Sequence, residues 1–295
     1  MVMRFKVFCA ENRVIACLLA TLLLSSAFIL FPGIDLAISR QFYVPGIGFP
    51  LAHSGLLQDV RMAGSNIPVT VAVVVFAALV LKLLHPLRPC LLPPRFALYF
   101  ASLYLLGPVL LVNGVLKTFW GRPRPVKVEE FGGSVPFLDA WSLGESFTHR
   151  SFASGEAATI ACLLPLALFV PRPWRWRVAA MLGVVVALVS LNRVAFGGHF
   201  LSDITVAIAL VLTIAVALRQ IFYVSHAELF ADARLDTELT RLGLAAQSKT
   251  RRDLDAAAAL MRNGLARLAG PFRRVATQRL AAQRLTVSAS ILPAE

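Results

Sequence analysis

Charge is what this chain has least of. Only 15% of its 295 residues are Asp, Glu, Lys or Arg, against 58% hydrophobic residues. Soluble domains run near about 25% charged and about 45–50% apolar, so an ordinary soluble domain is excluded. Cysteine is scarce as well. Cys9, Cys17, Cys90 and Cys162 form neither a spaced metal-ligand pair nor a disulfide framework. No internal repeat is strong enough to indicate a repeat architecture. The few charges cluster, and between them lie runs of about 15–20 uncharged residues, the length that crosses a hydrocarbon core.

These runs are Val14–Phe31, Ile67–Leu84, Phe96–Leu116, Ala157–Val170, Val178–Leu191 and Ile204–Tyr223. The first follows Arg4, Lys6 and Arg13, as a signal peptide would. It is longer than a usual signal core and no small-x-small cleavage site follows, so it reads as a retained helix. The fourth and fifth are short and would extend into polar flanks, which is tolerated where backbone lines a cavity. The expectation is an all-α integral membrane protein, a six-helix bundle with N- and C-termini cytoplasmic. With the N-terminus inside, the inner segments hold nine Lys and Arg before the tail and 21 with it, against eight outside. Those eight are matched by eight outer acids, so the formal +13 lies wholly on the inner side. This is the positive-inside pattern. It also accounts for a pI near 10.6, so no nucleic-acid partner is implied.

Residues 1–223 therefore read as a membrane domain and 224–295 as a basic cytoplasmic tail. The tail places Leu235, Leu239, Leu242, Leu254, Leu260, Leu265 and Leu268 at helical spacing opposite arginines. Such amphipathic helices either lie on the anionic inner leaflet or pack as a hairpin. In the first outer segment, 32–66, an interfacial helix is expected near Ala52–Ala63. The loop 117–156 carries Phe131, Phe137, Trp141 and Phe147. The reading preferred for them is an interfacial aromatic belt, with a lipid entrance as the alternative.

Polar residues recur at the outer ends of the apolar runs. Lys117, Arg124 and Arg193 suit a phosphate, the arginines bidentately and the lysine as a point charge. Ser154 and Gly155 stand at the start of a run, where helix-terminal N–H groups bind anions. His199 and Asp203 are spaced i, i+4 on one helix face. The carboxylate would fix the imidazole tautomer and leave the other nitrogen to attack phosphorus. Taken singly, the cations read as snorkelling residues and the His-Asp pair as a helix cap. Their joint placement on one side points to phosphate chemistry on a membrane lipid.

The chain resembles the type-2 phosphatidic acid phosphatase superfamily of lipid phosphatases and phosphotransferases. A Lys-six residues-Arg-Pro motif matches Lys117–Pro125 (KTFWGRPRP). A Ser-Arg-five residues-His-three residues-Asp motif matches Asn192–Asp203 (NRVAFGGHFLSD), with Asn192 in place of Ser. The middle Pro-Ser-Gly-His motif stands as Ala153-Ser154-Gly155-Glu156. The resemblance covers about residues 95–220. It implies a six-helix catalytic core that requires no metal or cofactor, with the site on the outer side. It further implies His199 as nucleophile forming a phosphohistidine, Asp203 orienting it, and Lys117, Arg124, Ser154, Gly155 and Arg193 holding the phosphoryl oxygens.

In the family the middle-motif His protonates the leaving oxygen, and here Glu156 occupies that place. Three readings stand. Glu156 is the acid, its proton favoured by burial beside a phosphate dianion; His149, in the same loop, reaches in; or the acid step is lost. The function expected is a lipid phosphatase at the periplasmic face of a bacterial inner membrane. Its substrate would be a lipid A-like glycolipid, a polyprenyl diphosphate or a glycerophospholipid phosphate, with the first preferred. A lipid phosphotransferase and a non-catalytic lipid-phosphate binder or transporter are the alternatives. The sequence carries no signal for an oligomeric state.

Overall fold

The computed structural model describes residues 12–289, with side chains to Asn263. Arg4, Lys6 and Cys9 lie outside the described residues, as do the side chains of Leu265 and Leu268. The architecture is all helical: α1 (Arg13–Leu30), α2 (Gly33–Arg40), α3 (Gly55–Leu84), α4 (Pro94–Phe119), α5 (Gly155–Ala161), α6 (Arg175–Ala195), α7 (Leu201–Gln220) and α8 (Asp232–Ala289). Helices α1, α3, α4, α6 and α7, with short extensions of α6 and α7, are long and apolar enough to cross a membrane. Their outward side chains, such as Leu22, Leu23, Val73 and Leu188, are exposed and apolar, as a lipid-facing surface requires.

Where six full spans were expected, five are found among the described residues, together with a shorter apolar segment, Gly155–Phe169. At about 1.5 Å per residue that segment is well short of the roughly 30 Å hydrocarbon core. Its regular helix ends at Ala161, and a 3₁₀ stretch containing Pro165 follows; proline supplies no N–H to continue the ladder. The segment stays inside the bundle because its residues are small. Ala157, Ala158 and Ala161 are buried against α7 residues Val206 and Ala207, and small residues let helix backbones approach closely.

Helix α7 is the axis of the bundle. Thr213 Oγ1 lies 3.0 Å from Thr21 Oγ1 on α1, and the Ala215 carbonyl accepts from Tyr99 Oη on α4. Within α4, residues Leu105–Leu116 are π-helical around Pro108, where the missing proline N–H leaves the ladder free to widen. Helix α3 continues without a break from Gly55 to Leu84. The expected interfacial helix near Ala52–Ala63 is therefore the outer third of a transmembrane helix, and Pro68 inside it is of a kind membrane helices tolerate.

The tail is one unbroken helix of 58 residues, about 87 Å long at the standard rise. A hairpin was an alternative reading, and the structure does not form it. Its first turns dock on the end of the bundle where α3 connects to α4. Asp236 pairs with the buried Lys82 ammonium at 2.8 Å and accepts from the Cys90 thiol. Thr240 and Gln247 donate to the Pro86 and Leu84 carbonyls. Lys82 also donates to the Pro86 and Arg88 carbonyls, so the ammonium stays hydrogen-bonded in either case, but only Asp236 brings α8 to it. Asp236→Ala should therefore speed trypsin cleavage at Arg241 and Lys249 without releasing fragments of the bundle. Unchanged tail cleavage would show that the ion pair does not hold α8.

Candidate active site

Three backbone hydrogen bonds join the motif segments. The Ser154 N–H donates to the Asp203 carbonyl at 3.0 Å, the Val126 N–H to Gly197 at 3.2 Å, and the Ser151 N–H to Arg122 at 3.0 Å. The link from α6 to α7 is a reversal in which the Gly198 and His199 N–H groups both return to the Arg193 carbonyl. Gly197 adopts a left-handed φ of 62°, a conformation in which other residues are strained. A Cβ on Gly198 would lie 2.7 Å from an Arg193 guanidinium nitrogen. The two glycines thus let Arg193 and His199 sit at one corner.

His199 is 2% exposed. Its Nδ1 lies 3.6 Å from Asp203 Oδ2 and 3.5 Å from Ser151 Oγ. Nε2 has no partner among the described residues. Burial pushes the imidazole below its ordinary titration range, against the pull of Asp203, so the ring is neutral near pH 7 and Nε2 keeps its lone pair. Asp203 cannot turn away. Its Oδ2 also accepts from Ser151 Oγ at 2.6 Å and from the Phe200 N–H at 2.8 Å, and its Oδ1 accepts from Arg122 at 2.5 Å.

Lys117 lies in the last turn of α4, and Arg124 lies four residues past Trp120, in the loop that follows. Among the described residues neither side chain has a hydrogen-bond or ion-pair partner. Arg124, Arg193, Gly197 and Gly198 line a cavity of about 460 Å³ together with Arg61 from α3. Lys117, Gly155 and Glu156 line a neighbouring cavity of about 190 Å³. His199 lies beneath the corner and lines neither. Gly155 is required by space, since a Cβ there would meet the Asn113 amide at 2.7 Å. The Ser154 hydroxyl turns onto its own helix and accepts from the Ala157 N–H. The expected residues are thus gathered at one end of the bundle, with Ser154 presenting backbone rather than hydroxyl.

Glu156 lies between two cations: Oε1 accepts from Arg61 at 3.1 Å, and Oε2 faces Arg193 Nε at 3.1 Å. Opposite charges at that range favour the carboxylate. His149 does not reach in; its one ion pair is with the exposed Glu145 of the same loop, at 4.0 Å. The aromatic belt also dissolves into packing. Phe131 packs tilted or edge-on against Tyr43 and Phe49, Trp141 edge-on against Trp120 and Phe152, and Phe137 edge-on against Phe200. Phe147 alone of the four stays exposed.

The sequence reading missed Arg122, counted there only as an outer charge. Its side chain is fully buried. It donates to Asp203 Oδ1, to Ser202 Oγ at 2.7 Å, to Asp35 Oδ2 at 2.8 Å and to the Leu138 carbonyl at 2.9 Å. The Phe200 ring covers it at 4.4 Å. Asp35 also accepts from the Ser202 N–H and hydroxyl. Burial pushes the Asp35 carboxyl above its ordinary range, and Arg122 pulls it back. The available signal was a lone acid in an apolar outer segment and a second arginine two residues before Arg124.

A buried imidazole held by a carboxylate, beside cations with no side-chain partner at one end of an apolar helix bundle, fits one class: a membrane phosphatase. Residues 95–226 match the PAP2 superfamily model. The chain belongs to that superfamily and is a membrane lipid phosphatase of a metal-independent phosphatase family. It is similar to the lipid A 4'-phosphatase of Rhizobium leguminosarum, 37% identical over 196 residues, which cover 61% of this chain and 84% of that protein. The lipid A 4'-phosphatase of Rhizobium etli is 36% identical, with 62% and 76% covered. A transmembrane PAP2-type phosphatidylglycerolphosphate phosphatase from Bacillus subtilis, known from its crystal structure, aligns with a TM-score of 0.43 at 22% identity. That alignment covers 70% of this chain and 94% of the other.

Removing one partner of a buried ion cluster costs about 3–5 kcal/mol because a charge is left uncompensated. Asp35→Ala should lower stability by that order in detergent unfolding, and Asp35→Asn, which keeps a hydrogen-bond acceptor for Ser202, by less. An Asp35→Ala protein as stable as wild type would show that Arg122 does not need its second carboxylate.

Proposed function

We propose that the chain removes a phosphate from a lipid A-like glycolipid at the periplasmic face of the inner membrane. Its relatives are named for lipid A 4'-phosphatase activity, and its tail and inner loops carry the net positive charge. In this reading Gly155–Phe169 completes six crossings, both termini are cytoplasmic, and residues 1–223 form the catalytic unit. The basic helix of the 224–295 tail lies along the anionic inner leaflet.

The observation that carries the mechanism is the pairing of His199 through Nδ1, which leaves Nε2 as the nucleophile. Lys117, Arg124, Arg193 and the N–H groups of the Ser154–Gly155 turn take the phosphoryl oxygens, whose charge must be met by fixed donors. Nε2 attacks phosphorus, the bond to the lipid oxygen breaks, and that oxygen takes a proton from Glu156. Water then attacks the phosphohistidine, giving its proton to the Glu156 carboxylate and releasing phosphate.

Glu156 is an anion in the resting site, so its proton must arrive with substrate. A phosphate dianion that takes Arg193 removes one of its two cationic partners and adds a like charge beside it. Both changes favour the protonated acid. The substitution of Glu for His thereby ties acid formation to occupancy of the site.

Phosphate release from a panel of lipid phosphates tests this. His199→Ala should fall by roughly 10³-fold or more, as loss of a nucleophile does. Glu156→Gln should lose about 10²- to 10⁴-fold, least on substrates with good leaving groups. Full activity of Glu156→Gln on every substrate would remove Glu156 from the acid step.

A further inference from the structure

Both departures from the family motifs touch the same place. Glu156, standing for the middle-motif His, accepts from Arg61 of α3. Asn192, standing for Ser, donates its amide to the Leu57 carbonyl of α3 at 2.8 Å. The outer end of α3 lies before residue 95, where the family match begins. Two positions inside the matched segment thus contact a helix outside it.

The helices are built to bring that end close. A Cβ on Gly64 would lie 2.5 Å from the Val189 side chain, so the glycine lets α3 and α6 meet. Arg61 lies one turn before Gly64, and Arg193 one turn after Val189, so the close crossing carries both guanidiniums to one cavity. Arg124 joins them there from the loop, and Gln58 lines the same wall. Three guanidiniums thus face one space, with the Glu156 carboxylate against two of them. Buried polar atoms without hydrogen bonds gather here too: Asn192 Oδ1, Arg193 Nε and Glu156 Oε2. Arg193 and Glu156 face each other without the alignment of a hydrogen bond. Native structures rarely leave such groups unmatched.

We propose that Arg61, with Gln58, forms a second anion subsite beside the phosphoryl site, taking a second acidic group next to the scissile phosphate of the substrate. The inference rests on the phosphatase reading above and adds the substrate class. Arg61 is half-exposed to the cavity, and Glu156 spans the gap between it and Arg193 as the resting counter-anion. A substrate with one phosphate takes Arg193 and leaves Arg61 on Glu156. A substrate with a second phosphate or carboxylate takes both, and Glu156 is then freed from both cations. Arg61 is therefore the specificity residue that separates diacidic from monoacidic headgroups.

Binding of inorganic phosphate, pyrophosphate and phosphonoacetate to the full-length protein in detergent, measured by calorimetry, tests this without turnover. Wild type should bind the two diacidic anions more tightly than phosphate. Arg61→Ala should reduce that preference roughly 10- to 100-fold, the worth of one charge-assisted hydrogen bond, and Arg61→Lys should restore part of it. Equal weakening of all three anions in Arg61→Ala would overturn the subsite, showing that Arg61 acts only through Glu156. So would a wild type with no preference for the diacidic anions. Anion binding without phosphate release from any lipid would leave the subsite standing and overturn the phosphatase reading instead.

Discussion

The site depends on one buried guanidinium. Arg122 has no exposed side-chain surface, and stripping such a charge of water costs several kcal/mol even after relaxation. The fold offsets that cost with two carboxylates, a serine hydroxyl, a carbonyl and an aromatic face, drawn from three separate stretches of chain. Asp35 comes from α2, Leu138 from the central loop, and Ser202 and Asp203 from the first turn of α7. None of these segments can shift without uncovering the charge. Helix α2, which carries Asp35, is therefore part of the floor beneath His199 and not a loose cover over it.

This arrangement explains how a short i, i+4 pair can serve in catalysis. On an isolated helix an aspartate four residues from a histidine has several rotamers open to it. Here Arg122 holds one oxygen of Asp203, while Ser151 and the Phe200 N–H hold the other, leaving His199 a fixed acceptor. Preorganisation of this kind avoids reorienting dipoles during the reaction. The neutral state of the buried ring follows from the same burial.

The parts legible in the sequence were those with a fixed spacing. Lys117, Arg124 and Arg193 stand at the ends of apolar runs. His199 and Asp203 are four apart, but α7 begins only at Leu201, so the turn before the helix, and not a shared helix face, brings them together. What escaped was whatever depends on tertiary contact. Arg122 lies two residues from Arg124 with nothing local to show that one is buried and the other free. Asp35 lies 87 residues from Arg122 along the chain. The start of α3 looked interfacial because Leu51, Leu56 and Leu57 are apolar, yet helical phase continues from Gly55 onward. The fourth run was read as a span on composition, and its alanines fit the bundle centre equally well. The tail's leucines gave the helix but not whether it turned back.

The departures at 156 and 192 carry more information together than apart. A Glu in place of a His in one motif looks like a damaged acid, and an Asn in place of a Ser looks neutral. In the fold both reach α3, one by an ion pair and the other by a hydrogen bond to its backbone. An arginine beside the phosphate site would be an unmatched cation in the resting enzyme, repelling Arg193 and Arg124 across a cavity of low dielectric. Glu156 balances it, and in doing so cannot hold a proton until an anion arrives. On the proposed reading the acid question and the substrate question are one question, because the same carboxylate pairs with both Arg61 and Arg193.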